Sequence, residues 1–434
     1  MRGGSPFDGG EAIRKTQGFG NGALVDANEL DGVDLATALH QSDLVRLGMA
    51  GNLKEFVLTD KDGIPKKGSD IDYNGQPAGY AQDPTEIQNY VDKHDNQTLF
   101  DNLVYKAPAG ADLVRMQGVS LATAMLGQGI PFTHAGVELL RSKSMERDSY
   151  DSGDWYNRVD YGLSDNNFDK GLPRKDKDEA NYELIEQVLG QHAKPGSAEM
   201  HQMVNFYQEL SELRQSSRLL RLGSGAEVIK RVDFRNTGPE QIPGLIVMSV
   251  DDGVGAGADL DPAIDGLVVM INATNQPQSI GDFRDGKDQP IDLTGMVLSG
   301  AHRDSDSIAS GAANDSGQLT LGAWSAAVFV KPQSGAQGAG LPVSKKTDLS
   351  TLPPFGDTEV FVRGFLNQWD PVNKMNFSGN FTYEFTTEVT ADQLGSTQVK
   401  IAGNEWSGPV NYGKCSDTDQ LATGQVNTLC ANGG

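Results

Sequence analysis

Tyr90-Val91-Asp92-Lys93-His94-Asp95-Asn96-Gln97-Thr98 is the stretch from which the fold of this chain can be worked out. It begins with an apolar, β-branched run and ends in polar side chains that a protein core does not bury cheaply. A barrel strand that carries groups to a site has this pattern at its C-terminal end. The alternative is a strand followed by a helix cap at Asp95 or Asn96, with Thr98 opening the next turn. The neighbouring sequence decides between these interpretations.

A helix and a second strand follow this stretch. Residues 112–126 have the apolar spacing of an amphipathic helix, and the glycines of residues 127–129 end it. Residues 130–133, with the sequence Ile-Pro-Phe-Thr, then predict a short buried strand. Strand, helix and strand in this order make one repeat of a parallel α/β structure. Residues 34–49 and 199–216 predict further helices on either side.

After residue 222 the apolar period changes to two, which is typical of strands. Strands are predicted at residues 227–234, 244–250, 266–273 and 323–330, so that residues 222–335 form an all-β domain. Residues 336–356 are rich in Gly, Ser, Pro and Lys and predict a linker. Residues 357–434 alternate as the strands of a small β-sandwich do.

Composition limits the classes of partner. The 434 residues include 59 acidic and 36 basic side chains, a formal charge of −23, which argues against nucleic acid and anionic membranes as partners. Neutral molecules such as sugars suit this charge. The sequence has no run of 18 apolar residues, so it predicts no transmembrane segment, and its first residues lack the apolar core of a signal peptide.

Cys415 and Cys430 are the only cysteines. Two cysteines this close, with no other thiol in the chain, suit a local disulfide in an exported protein. Two free thiols are the alternative. We predict the disulfide.

Several long motifs resemble bacterial pullulanases, which are starch-debranching enzymes of glycoside hydrolase family 13, in the α-amylase clan. Residues 91–98, 127–144 and 147–161 carry most of the resemblance, and residues 2–8, 70–75 and 230–236 match the same group. Together the motifs cover essentially residues 2–345. They are far more specific than a lone His-Asp pair.

The resemblance implies an α/β fold followed by all-β domains. Residues 1–221 would be the C-terminal part of a catalytic (α/β)8 barrel, with its seventh and eighth strands. Residues 222–335 would be the pullulanase-type C-terminal β-sandwich, followed by the linker at residues 336–356. Residues 357–434 are similar to Ig-like carbohydrate-binding modules of amylolytic enzymes, and the sequence ends before enough strands appear to complete this module.

The resemblance also implies roles for the opening stretch. Asp95 matches the aspartate that stabilises the oxocarbenium-like transition state, and His94 matches the histidine that bonds sugar hydroxyls in the cleavage subsite. We place Asn96 with them in substrate binding. A carboxylate and an imidazole that hold the sugar more tightly as its ring flattens would favour the transition state over the substrate.

The long polar segment at residues 141–174 would form a wall of the glucan cleft. Trp155 either stacks on a sugar face or packs into the barrel rim, and both interpretations stay open. Trp369 and Trp406 are candidate stacking platforms of the C-terminal module, although a tryptophan in a small sandwich is more often part of the core. The substrate-binding residues predicted in the wall are Asp151, Asp154, Trp155, Asn157 and Arg158.

Two catalytic carboxylates are missing from the motifs. Retaining glycosidases need a nucleophile and a general acid, which in this family lie on the fourth and fifth barrel strands, upstream of the matched region. Residues 1–89 contain no strand that ends in Arg-x-Asp or Gly-Glu. We therefore expect a fragment truncated at its N-terminus, with Met1 an internal methionine, from a parent that is secreted or on the cell surface.

The leading hypothesis is a portion of an enzyme that hydrolyses α-1,6-glucosidic bonds, with retention, in pullulan, amylopectin, glycogen or limit dextrins. Isoamylase or mixed specificity is a near alternative, and the chain alone should be inactive. The alternative from another class is a non-catalytic α-glucan-binding protein derived from such an enzyme. The six histidines are spread singly, which gives a metal-dependent hydrolase little support. No cofactor is required, and a structural calcium ion is left open because related amylolytic enzymes often bind it.

Overall fold

The computed structural model divides into two compact units, Met1–Lys346 and Thr347–Gly434. The boundary lies within the segment predicted as a linker. Most of the motif at residues 2–8 lies outside the described part of the chain. The structure describes residues 3–4, 8–28, 30, 32–302, 308–344, 349–356, 358–388, 390, 398–406, 410–415 and 429–431.

Helices dominate the first 231 residues of the first unit. The predicted helices at residues 34–49, 112–126 and 199–216 are present, with ends within two residues of the prediction. Asp34 explains one of these ends, because its carboxylate accepts a hydrogen bond from the Thr37 amide at 2.7 Å and caps the helix. The helices are α1 (Ala12–Lys15), α2 (Leu35–Met49), α3 (Leu99–Lys106), α4 (Leu113–Met125), α5 (Lys175–Asp178), α6 (Tyr182–Leu189), α7 (Ser197–Ser216) and α8 (Gly225–Arg231).

The strands of the first unit form five sheets in the described residues. The largest is a five-stranded antiparallel sheet in the order β11-β14-β9-β8-β7, and a three-stranded sheet has the order β10-β13-β12. β1 pairs with β2, β3 with β4, and β5 with β6. The strands are β1 (Val57–Thr59), β2 (Pro65–Lys67), β3 (Asp72–Tyr73), β4 (Gln76–Pro77), β5 (Gln88–Asn89), β6 (Ile130–Pro131), β7 (Val232–Phe234), β8 (Leu245–Asp251), β9 (Ile264–Asn272), β10 (Gln278–Ile280), β11 (Val297–Ser299), β12 (Gly311–Ala313), β13 (Leu319–Leu321) and β14 (Ser325–Pro332).

The five-stranded sheet is the part of the first unit where burial is most complete. All residues of β8 and β9 are buried, and α4 contacts both β9 and β14. A strand covered on both faces needs apolar residues at nearly every position, which explains the run Leu267-Val268-Val269-Met270-Ile271 in β9. This sheet therefore anchors the helical segment to the β-rich segment.

β5 and β6 are parallel neighbours, with Gln88 opposite Ile130 and Asn89 opposite Pro131. α3 and α4 lie between them in sequence, as in a parallel α/β repeat. Burial at residues 130–133 was predicted wrongly, because Ile130 and Phe132 are each 46% exposed. The reason is that β5 and β6 pair only with each other within the described part of the chain, so their outer edges remain uncovered.

The strand predicted at residues 227–234 is largely wrong. Helix α8 occupies most of it, and only β7 is extended. The buried Arg231 guanidinium bonds to Glu227 and to Asp252, each at 2.6 Å. A separation of four residues spans about 6 Å in a helix but about 13 Å in a strand, so only the helix brings Glu227 to Arg231.

The second unit is built from short antiparallel strands. Four strands form a sheet in the order β15-β18-β19-β20, and β16 and β17 form a hairpin. A disulfide joins Cys415 to Cys430. The strands are β15 (Phe361–Gly364), β16 (Asn376–Gly379), β17 (Thr382–Glu384), β18 (Val399–Ala402), β19 (Asn411–Gly413) and β20 (Cys430–Ala431).

Within the described ranges, no helix combines the length and the apolar character that crossing a membrane requires.

We expect reduction of the Cys415–Cys430 disulfide to lower the unfolding free energy of the second unit by about 3 kcal/mol, because the bond restricts the unfolded chain. Hydrogen exchange of peptides from residues 398–415, with and without reductant, measures the loss of protection. The first unit is the internal control, since it contains no cysteine. Equal protection in the oxidised and reduced proteins would contradict the expectation.

Candidate functional site

The stretch after β5 runs irregularly to the start of α3. Thr98, and not Asp95 or Asn96, caps this helix, since its hydroxyl oxygen accepts a hydrogen bond from the Asp101 amide at 3.1 Å. The alternative of a helix cap at Asp95 or Asn96 is therefore wrong.

His94 and Asp95 lie side by side at the surface. Their side chains are 79% and 57% exposed, and 3.4 Å separates His94 Nε2 from Asp95 Oδ1. Lys93 Nζ donates to the other carboxylate oxygen at 3.2 Å. This hydrogen bond, with the nearby His94 and Lys143 charges, lowers the pKa of Asp95. Asp95 is therefore a carboxylate at neutral pH and can accept hydrogen bonds from hydroxyl groups.

A cleft of about 320 Å³ opens at this pair. Its volume is in the range of small-molecule sites, about 300–1,000 Å³. Four of the predicted residues line it, and five further residues do so without having been predicted. The lining consists of Lys93, His94, Asp95, Asn96, Arg147, Asp148, Ser149, Tyr150 and Asn157.

Asn157 reaches the cleft because Ser149 and Arg141 hold it. The Ser149 hydroxyl donates to Asn157 Oδ1 at 2.9 Å, and Asn157 Nδ2 donates to the Ser149 carbonyl oxygen at 3.0 Å. The Arg141 guanidinium donates to the Asn157 carbonyl oxygen at 2.7 Å. Two short 3-10 turns, Ser149–Asp151 and Asp154–Asn157, give the wall its shape.

The other predicted wall residues lie outside the lining of this cleft. Asp151 bonds to Arg174 at 3.1 Å and to Lys177, whose hydrogen bond lowers the pKa of Asp151. Trp155 is 42% exposed and stacks on the buried Tyr156, with ring centroids 3.6 Å apart. Asp154 and Arg158 are exposed on the same loop.

Sequence reasoning missed Lys93 and residues 147–150 as cleft residues. Residues 147–150 belong to the motif at residues 147–161, so the resemblance contained the signal, but the residue types did not reveal which of them face the cleft. Tyr150 is 83% exposed, and Lys177 Nζ lies 4.3 Å from the centre of its ring. Asp148 is paired with the same lysine at 3.1 Å.

A buried carboxyl group supports the cleft from below. Asp101, in the first turn of α3, accepts hydrogen bonds from the Ser142 hydroxyl and, at 2.8 Å, from the Lys143 amide. Burial raises its pKa to about 6, and these hydrogen bonds oppose the rise.

Trp369 and Trp406 come together in the second unit. Their ring centroids are 6.0 Å apart with 55° between the planes, and both rings are partly exposed. The Arg363 guanidinium lies 3.7 Å from the centre of the Trp406 ring, and its Nε donates to the Trp369 carbonyl oxygen at 2.6 Å. Arg363 thus occupies one face of Trp406.

Metal binding receives no geometric support. Among the residues that the structure describes, no three His, Cys, Asp or Glu side chains come together to hold an ion. No residues are therefore assigned to the structural calcium ion that the sequence left open.

Residues 163–332 match the sequence profile of a family described as alpha-1,6-glucosidases, pullulanase-type, C-terminal. The pullulanase of Klebsiella pneumoniae is 57% identical over 351 residues, which make up 80% of this chain and 32% of that protein. Chloroplastic pullulanase 1 of Arabidopsis thaliana is 38% identical over 348 residues, which make up 77% of this chain and 35% of that protein.

The fold is similar to a solved structure as well. A crystal structure of Klebsiella pneumoniae pullulanase complexed with maltotriose matches with a TM-score of 0.76 and 56% identity, over 80% of this chain and 33% of that one. This chain spans about a third of the length of the curated relatives named above.

Asp101 should make stability depend on pH. Its pKa rises from 3.8 to about 6 on folding, so the folded protein binds the proton more tightly than the unfolded chain. Below pH 3.8 this tighter proton binding adds about 3 kcal/mol to the unfolding free energy. The added stability is lost as the pH rises through about 6. We expect the unfolding free energy of the unsubstituted protein, relative to Asp101→Asn, to fall over this range in urea titrations.

Asp285→Asn is the matched control. Asp285 is exposed, and hydrogen bonds from the Gln289 and Lys287 amides lower its pKa, so its contribution should rise with pH. A difference between the unsubstituted protein and Asp101→Asn that does not change between pH 4 and 7 would refute the prediction for Asp101.

Proposed function

The chain belongs to the pullulanase-type α-1,6-glucosidases, and we propose that its His94–Asp95 cleft binds α-glucan in a starch-debranching glycoside hydrolase. The reaction would be retaining hydrolysis of α-1,6-glucosidic bonds in pullulan, amylopectin, glycogen or limit dextrins. The observation that carries the proposal is the exposed pair itself. An ionised carboxylate and an imidazole stand 3.4 Å apart at the mouth of a cleft.

His94 and Asp95 would act on the sugar without breaking bonds. Asp95 accepts from sugar hydroxyls and offers negative charge to an oxocarbenium-like transition state, while His94 holds a neighbouring hydroxyl. These contacts strengthen as the ring flattens, so they lower the barrier and not only the dissociation constant. The hydrogen bond from Lys93 lowers the pKa of Asp95 further and so favours its carboxylate form.

The wall residues would hold further sugars in place. Asn157 and Asn96 line the cleft and offer amide groups to hydroxyls. Asp154, Trp155 and Arg158 are exposed on the same loop, and we assign them to sugar units beyond the cleft. Asp151 is held by Arg174 and Lys177, so we assign it a part in fixing the loop beside its contact with substrate.

We extend the proposal to the architecture. β5 and β6 would be the seventh and eighth strands of an (α/β)8 barrel, an assignment that their parallel pairing supports. The domain boundaries proposed from the sequence remain 1–221, 222–335 and 357–434, with a linker at residues 336–356. The second unit would be an Ig-like carbohydrate-binding module, and its disulfide suits a secreted or cell-surface protein.

The second candidate is a non-catalytic α-glucan-binding protein, and the tryptophan pair favours it. Sugars often bind against aromatic side chains, because the apolar face of the sugar ring packs on the flat face of the aromatic ring. Trp369 offers a partly exposed ring beside Trp406. This candidate requires binding through the second unit and no turnover.

Maltotriose is the probe that tests the cleft, since it occupies the solved Klebsiella pneumoniae relative. We expect Asp95→Asn and His94→Ala each to weaken its binding at least about tenfold. The first removes a charged hydrogen-bond acceptor, and the second removes an imidazole that would bond to a sugar hydroxyl out of contact with water. Isothermal titration calorimetry measures the change, with Asp285→Asn as the exposed control. Trp369→Ala and Trp406→Ala should leave the affinity of the cleft unchanged and affect only sugar binding by the second unit. Loss of binding only in the tryptophan variants would favour the second candidate.

Turnover gives a separate prediction. The sequence has no match to the motifs of the family's nucleophile and general acid, so we expect the purified 434-residue chain to release no maltotriose from pullulan. Chromatography of the reaction products measures this. Release of maltotriose would overturn the expectation of an inactive chain, whereas panose or isopanose would indicate another specificity.

A further inference from the structure

Residues 140–146 are buried although they form no helix or strand. Leu140, Ser144 and Met145 have φ between 52° and 68°, the left-handed region that costs non-glycine residues energy. A buried, irregular segment persists only when its surroundings hold it in several places.

The polar side chains of this segment bond outward in several directions. Ser142 donates to Asp101 of α3, and the Ser144 hydroxyl donates to the Gly171 carbonyl oxygen at 2.8 Å. Lys143 Nζ donates to the His94 carbonyl oxygen at 2.9 Å and to the Ser149 hydroxyl at 3.1 Å. Of these contacts, those of Lys143 reach both sides of the cleft.

We propose that Lys143 is a positioning residue for the cleft, holding the His94 backbone and, through Ser149, the Asn157 side chain in one arrangement. The inference rests on the proposed function, because holding these groups matters for catalysis only when the cleft binds α-glucan. The link to Asn157 runs through the Ser149 hydroxyl, which accepts from Lys143 and donates to Asn157 Oδ1. The two walls of the cleft therefore share one buried cation.

An ammonium group suits this position. Lys143 is fully buried, and hydrogen bonds from a charged donor are stronger than neutral ones. Burial lowers the pKa of Lys143, and the carboxylate of Asp101 opposes that change. The basic and acidic side chains that line the cleft are Lys93, His94, Asp95, Arg147 and Asp148.

The role matters because sugar recognition depends on sub-ångström placement of donors and acceptors. His94 is 79% exposed, so its own packing does little to fix it. A backbone anchor on its carbonyl group limits where the imidazole and the Asp95 carboxylate can be. Lys143 touches neither side chain, so it acts through the backbone.

Lys143→Met in the full chain tests the proposal, with Lys106→Met as the matched control. Lys106 is also buried, and its Nζ donates to the Ile13 carbonyl oxygen at 2.7 Å, away from the cleft. NMR order parameters of the His94 and Asp95 amides should fall from about 0.85 toward about 0.6 in Lys143→Met only. Both variants should lower the melting temperature, so the order parameters separate positioning from stability.

The affinity for maltotriose adds a functional measurement. We expect Lys143→Met to weaken binding at least about tenfold and Lys106→Met to leave it unchanged. Failure of the unsubstituted chain to bind maltotriose would count against the proposed function alone, because the order parameters are measured without sugar. Unchanged order parameters in a folded Lys143→Met protein would overturn the positioning role.

Ser149→Ala keeps the proposal testable if Lys143→Met does not fold. It removes the hydroxyl between Lys143 and Asn157 and leaves the bond to the His94 carbonyl oxygen. The Asn157 side-chain amide should become more mobile while the His94 amide stays rigid. No change at Asn157 would show that the link does not position it.

Discussion

Backbone that is buried outside helices and strands must still satisfy its hydrogen-bonding groups, and this constraint governs the structure around the cleft. Side chains from distant parts of the sequence bond to the backbone of residues 140–146. The Lys143 amide donates to the Asp101 carboxylate, about forty positions earlier, and the Leu140 carbonyl oxygen accepts from Asn166 Nδ2, 26 positions later. The Ser144 hydroxyl adds a bond to the Gly171 carbonyl oxygen. The segment is therefore a junction between α3, the stretch after β5 and the long loop.

The net charge of the chain does not show how charged side chains are arranged around the cleft. The chain carries 23 more negative than positive charges, yet each carboxylate lining the cleft has a cationic partner. Asp95 bonds to Lys93, and Asp148 bonds to Lys177. A carboxylate that is paired with a cation remains a strong hydrogen-bond acceptor, and the pair produces only a small local electric field. Such a surface suits an uncharged, hydroxyl-rich ligand better than a cationic one.

Much of the fold could be predicted from the sequence, because many helices and strands are determined by interactions between residues that are close in the chain. The apolar run in β9 and the Asp34 cap of α2 act within a few residues. Helix α8 was mistaken for a strand because its apolar alternation was ambiguous. The helix brings Arg231 to Glu227 within the segment, but the other carboxylate partner of Arg231 is Asp252, 21 positions later. Such a partner cannot be inferred from the segment itself.

The candidate site also has residues that the local sequence indicates and residues that only distant contacts bring to the cleft. His94 and Asp95 could be predicted as site residues because a polar cluster after an apolar run is visible in sequence and belongs to a specific motif. Which wall residues join them was not visible, because Asn157 is held at the cleft by Ser149 and Arg141, and Ser149 in turn accepts from the buried Lys143. Asp151 has the right chemistry but is drawn to Arg174 and Lys177.

The tryptophan pair of the second unit has an optical consequence. Two indole rings with centroids 6.0 Å apart and planes inclined by 55° are close enough for their electronic transitions to couple. Coupled chromophores in a chiral arrangement give paired bands of opposite sign in circular dichroism, and for indole rings these arise from the intense far-ultraviolet transition. Trp155, in the first unit, has a tyrosine as its ring neighbour and does not share this geometry. The second unit thus contains an intrinsic chromophore whose signal vanishes when its sheet unfolds, with no dye attached.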